Sequence, residues 1–210
     1  MDLVIGLAIP FLGTTLGAAM VFLMKNKMNS KVEKLLLGFA SGVMIAASIW
    51  SLIIPSIDMA SEQGKVAWIP AAVGFILGIV FLLVLDSVIP HLHLNNDKTE
   101  GIKAKLKKTT MMVFAVTLHN IPEGLAIGTG FQASINLGLS LAIVIAIHDV
   151  PEGVSMAVPM KKGGMSKGKV IFYVIISGIS TGIGALVGHL VGGISESIIA
   201  ASLSFAAGAM

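Results

Sequence analysis

Residues 118–128 read LHNIPEGLAIG, and 29 positions further on, residues 147–157 read IHDVPEGVSMA. Both stretches set a histidine, a hydrogen-bonding side chain, a proline, a glutamate and a glycine in the same order, and both are embedded in apolar sequence. On an α-helix, residues three and four apart share a face. His119, Asn120 and Glu123 therefore project from one side of one helix, and His148, Asp149 and Glu152 from one side of the next.

What surrounds these motifs decides the fold class. Of 210 residues, 55% are hydrophobic and only 12% charged, with a mean hydropathy of +0.94, too little polar surface to coat a soluble globule. The chain reads as an all-α polytopic membrane protein. Apolar segments of about 20 residues, the length a helix needs to cross ~30 Å of hydrocarbon, lie near 3–24, 35–57, 66–90, 109–131, 137–160 and 169–194. A further run, 197–210, is too short to cross alone and reads as a truncated seventh helix. The first segment follows Asp2 with neither a basic n-region nor a small-residue cleavage site, so it is expected to stay as a span. A barrel is excluded, because no ten-residue alternating strands occur. Residues 1–210 are expected to form a single transmembrane transport domain.

Charge sets the orientation. Thirteen of the fourteen lysines fall after the first, third and fifth segments, and Lys65 is the exception. Lysine-rich loops stay cytoplasmic, which puts the N-terminus outside. The net charge of +3 thus reflects topology, and no nucleic-acid partner is expected. The absence of cysteine removes disulfides and thiolate ligands. Glycines four apart (Gly13/Gly17, Gly38/Gly42, Gly74/Gly78, Gly124/Gly128, Gly178/Gly182, Gly184/Gly188) predict close helix–helix packing. A homodimer is compatible with such a bundle.

Each motif histidine lies about eleven residues into its span, ~16 Å deep at 1.5 Å per residue. The motifs therefore meet at the bilayer midplane. Polar residues there can serve simply to hydrogen-bond neighbouring helices, but three carboxylates at that depth cost ~2.5–3.5 kcal/mol each on insertion scales. A divalent cation offsets that cost, and His with Asp and Glu, without Cys, suits zinc or another first-row metal. Pro122 and Pro151 withhold a donor from the carbonyls of Leu118 and Ile147, loosening each helix one turn before its glutamate. Broken helices of this kind carry ion sites in transporters.

HNIPEG followed by HDVPEG, with LDSVIPHLHL (residues 85–94) ahead of them, resembles the paired signature of the ZIP family of divalent metal transporters, in its prokaryotic GufA-like branch. The resemblance covers essentially the whole chain. It implies eight helices with both termini outside, and import of zinc, with iron, manganese or cadmium as further cargo. His119, Asn120, Glu123, His148, Asp149 and Glu152 would line a one- or two-metal site, with both glutamates able to bridge. The second span would face it with the stripe Ser41, Met44, Ser48 and Ser51, Met44 offering a soft thioether. Asp86, His91 and His93, at the inner end of the third span, would receive metal on exit. Two departures stand out: Thr181 occupies a position where some relatives carry glutamate, which favours one tightly held ion, and relatives run on past residue 210, which leads us to expect a longer chain.

The remaining polar residues read as peripheral. His189 has no partner at helical spacing and is taken as an interface residue, and Asp58 with Glu62 would concentrate cations at the outer mouth. Hydrated metal would exchange its waters for His119, Glu123, His148 and Glu152 and leave inward, and acid pH would oppose binding because the ligands must be deprotonated. HExxH is absent, which argues against a metallohydrolase, and no enzyme activity is expected. A metal-binding sensor or non-transporting subunit is the alternative. The compact chain favours a bacterial inner membrane.

Overall fold

The computed structural model describes residues 2–22, 29–89, 108–162 and 164–210. All regular structure among them is helical. Helix α1 (Asp2–Ala19) ends in a 3-10 turn at Met20–Phe22; α2 (Ser30–Ala46) passes through a π-helical stretch, Ala47–Ile53, into α3 (Ile54–Glu62). Then come α4 (Trp68–Val88), α5 (Lys108–Ala133), α6 (Ile135–Lys162), α7 (Lys167–Gly192) and α8 (Glu196–Ala209). Four helical stretches are long and apolar enough to span a membrane: Lys34–Glu62, Trp68–Val88, Ile135–Lys161 and Lys167–Gly192. α5 is 26 residues long, while Leu3–Ala19 and Glu196–Ala209 are shorter apolar helices. The exterior carries the signature of lipid contact, with Leu35, Trp50, Leu83, Phe172 and Leu190 each more than half exposed.

Glycines set the packing. Gly124 and Gly128 of α5 lie against the backbone of Thr181 and Ala185 in α7, and Gly184 and Gly188 of α7 lie in turn against Ile121 and Leu125. No side chain fits at any of the four. The rising numbers on both helices show that α5 and α7 run parallel. Gly13 and Gly17 seat α1 on Ala146 and Val150 of α6, and Gly74 and Gly78 seat α4 on α8 at Ala201 and Phe205, again in parallel. Three parallel pairs locked by small residues thus make the bundle. Gly38, Gly42 and Gly182, expected to pack likewise, have nothing within 4 Å of where a Cβ would stand. α2 lies at the edge of the bundle, and Gly38 and Gly42 are on its exposed side.

The helices stay α-helical through Pro122 and Pro151. The irregular backbone comes instead between α2 and α3, at the π-helical Ala47–Ile53. Pro55 follows directly; it has no N–H for the Ser51 carbonyl and its ring crowds that oxygen, and the wider i→i+5 turns just before it absorb the mismatch.

Two apolar clusters enclose a polar layer. One gathers Ala126, Ile127, Leu141, Ile145, Ala185 and Leu203; the other gathers Ala18, Val113, Met156, Met160, Val170 and Val174. Along α5, α6 and α7 the segments between these clusters are 114–125, 146–155 and 175–184, and they carry the buried polar residues Asn120, Glu123, Asp149, Ser155, Ser177, Ser180 and Thr181.

Candidate metal centre

Glu123 from α5 and His148, Asp149 and Glu152 from α6 converge, each offering a ligand atom within 4.8 Å of the others. The imidazole Nε2 of His148 is 3.3 Å from a Glu123 oxygen and 3.8 Å from a Glu152 oxygen. Its Nδ1 lies 3.3 Å from the carbonyl of Ala40 in α2. A carbonyl can only accept, so Nδ1 carries a proton, and in a neutral imidazole Nε2 then presents its lone pair to the carboxylates. In that form acceptors face acceptors, an arrangement that could take a cation. The Ala40 contact is the outer-shell bond that usually fixes the tautomer of a ligating histidine.

The carboxylates are otherwise poorly served by the protein. Both oxygens of Glu123, one of Glu152 (Oε2) and one of Asp149 (Oδ1) are buried without a hydrogen-bond partner. Glu123 is 1% exposed. A buried charge costs a great deal unless it is paired or holds a metal, so the four residues make a candidate site that could hold a cation.

Each motif is braced from outside the group. Asp149 Oδ2 accepts from Thr14 Oγ1 of α1 at 3.0 Å. Asn120 Nδ2 donates to the Ser177 carbonyl and hydroxyl of α7 at 3.1 and 3.2 Å, and its Oδ1 has no hydrogen-bond partner. Thr14 and Ser177 escaped the sequence reading. Their one signal was position, Thr14 lying between the packing glycines Gly13 and Gly17 and Ser177 next to Gly178.

Beside the group opens a cavity of about 340 Å³ lined by Ala40, Ser41, Met44, His119, Glu123, His148 and Glu152 among others. His119 is exposed on its wall and outside the four-residue group. Met44 and Ser41 face the cavity as expected, whereas Ser51 lines a separate apolar groove with Phe39, Val43 and Trp50. The π-helical turns rotate the second half of the stripe away from the first.

Asp86 is half-buried near the end of α4 and does not join the group; His91 and His93 lie outside the described residues. Asp58 and Glu62 line a second cavity, about 510 Å³, with Glu196, Gln63 and Gln132. His189 is half-buried at the α5–α7 contact, its carbonyl accepting from Gln132 Nε2 at 2.8 Å.

The family profile described as ZIP Zinc transporter matches residues 95–210. Zinc transporter ZIP11 of Xenopus tropicalis is 30% identical, the match covering 94% of this chain and 82% of that protein. Zinc transporter GufA of Myxococcus xanthus is 32% identical, over 94% of this chain and 80% of that protein. Zinc transporter ZIPB of Bordetella bronchiseptica is 37% identical, over 99% and 68%.

Proposed function

The chain belongs to the ZIP family of zinc transporters, and on that premise we propose that it imports zinc and other divalent cations through the midplane group of α5 and α6. It is an integral membrane protein and a transporter, not an enzyme. The observation that carries the site is the His148 imidazole, its Nδ1 tied to Ala40 and its Nε2 turned to two carboxylates.

On this reading residues 1–210 act as a single transport domain with six spans ahead of α8, N-terminus outside, in a bacterial inner membrane. Glu123, His148, Asp149 and Glu152 hold the ion; His119 and Met44 receive it from the adjoining cavity, and Asn120 offers a further oxygen. The acidic cavity of Asp58, Glu62 and Glu196 concentrates cations at the outer mouth, and Asp86, His91 and His93 take up metal at the inner end. The ion exchanges its waters for side chains that bind firmly enough to strip them and weakly enough to release it.

Uptake into proteoliposomes loaded with a fluorescent zinc chelator tests this. Saturable zinc entry is expected, together with its loss in the Glu123→Gln, Glu152→Gln double variant. Zinc that binds to these glutamates without crossing the bilayer would make the chain a receptor and overturn the transport reading.

A further inference from the structure

Thr14 stands on α1, a helix that contributes no member of the metal group, yet it is 3% exposed and its hydroxyl lies 3.0 Å from Asp149 Oδ2. The same hydroxyl lies 3.1 Å from the carbonyl of Pro10, one helical turn back. A hydroxyl has one proton. A threonine inside a helix ordinarily gives that proton to the carbonyl four residues back, but a carboxylate is the stronger acceptor, since charge-assisted bonds are roughly twice as strong as neutral ones. Thr14 therefore donates to Asp149.

The backbone leaves little room for any other arrangement. Gly17 of α1 lies against the Val150 carbonyl and Gly153, and Gly153 in turn lies against the Thr14 carbonyl. The two helices are pinned on either side of the Thr14–Asp149 bond. One carboxylate oxygen is thus engaged by α1, and the other, Oδ1, is buried without a partner.

We propose that Thr14 is a positioning residue for the transported cation: its hydrogen bond holds the Asp149 carboxylate edge-on, so that Asp149 presents a single oxygen to the ion. This rests on the metal-site reading above. Outer-shell partners of ligating carboxylates are typically worth 10- to 100-fold in metal affinity.

Zinc binding to the purified full chain, measured by competition with a chromophoric chelator, decides the matter. Thr14→Val, which keeps the shape and removes the hydroxyl, is expected to weaken zinc binding by about 10- to 100-fold, and Thr14→Ser to restore it to within about threefold of wild type. In an Asp149→Ala background, which leaves Thr14 no acceptor at that position, Thr14→Val should cost nothing more, because the two residues act as a unit. Should the valine variant fail to fold, Thr14→Ala is read the same way.

Wild-type affinity in Thr14→Val, or a full additive loss on top of Asp149→Ala, overturns the proposal. Glu123→Gln separates the two levels. If that variant loses zinc while Thr14→Val keeps it, only the role of Thr14 fails; if both keep it, the metal site itself is wrong.

Discussion

HNIPEG and HDVPEG share four of six residues, and the helices divide them in the same way. In α5, Asn120 and Gly124 turn towards α7, where they meet Ser177 and Thr181. In α6, Asp149 and Gly153 turn towards α1, where they meet Thr14 and Gly17. The histidine and glutamate of each motif line the cavity instead. Each motif thus carries two stripes a fraction of a turn apart, one braced by a neighbouring helix and one that lines the cavity, and Asp149 of the braced stripe still offers an oxygen to the four-residue group. The histidines differ in exposure and in whether they join the group. α2 comes close enough to α6 for the Ala40 carbonyl to fix His148, whereas His119 is exposed on the cavity wall, outside the four-residue group.

The two histidines give the widest expected separation. His148→Ala removes a ligand and should weaken zinc binding by about 100-fold, whereas His119→Ala should cost less than about tenfold, at or below the weight of an outer-shell group. Chelator competition on the two variants measures both. Equal losses would mean that the motifs are equivalent in the binding state and that the difference in histidine environment has no functional weight.

Much of the site was legible in sequence because its signal was local. Paired i, i+4 histidine and glutamate in an apolar segment announces a face, and Glu123 and Asp149 are both buried. The convergence of α5 and α6 also followed, since the two motifs sit near the middle of successive helices. The brace could not be read, because it depends on which helix packs behind which. Nothing local says that α1 pairs with α6, five helices further along the chain. The same limit explains the glycines: Gly124 and Gly42 both belong to four-residue pairs, and only the partner helix tells them apart.

That contrast gives the second prediction. A methyl at Gly124 would meet the Thr181 backbone, which cannot give as a flexible side chain can, so Gly124→Ala should destabilise the protein by roughly 1–3 kcal/mol, the usual cost of overpacking. Gly42→Ala meets nothing within 4 Å and should change stability by no more than about 0.5 kcal/mol. Thermal unfolding in detergent reads both. A large loss in Gly42→Ala would show that the exposed side of α2 is covered by something, and would locate it.

The smallest expected effect separates the two halves of the second span. Ser41 and Ser51 are ten residues apart, which an unbroken α-helix turns through about 1,000°, or 80° short of three full turns; the two would then share a broad face. The π-helical turns at Ala47–Ile53 carry more residues each, so the chain arrives at Ser51 under-rotated and its hydroxyl joins the apolar groove of Phe39, Val43 and Trp50. Ser41 stays on the cavity wall with Met44. Ser41→Ala should therefore raise the zinc KM for uptake by about threefold, within the 0.5–1.5 kcal/mol of one ordinary hydrogen bond, and Ser51→Ala should leave it unchanged. Restoring regular α-helical turns would bring Ser51 back towards Ser41. If Pro55 forces the π-turns, a Pro55→Ala chain should make uptake sensitive to Ser51→Ala, whereas continued indifference to Ser51 in that background would show that packing against α8 holds the π-helix without the proline.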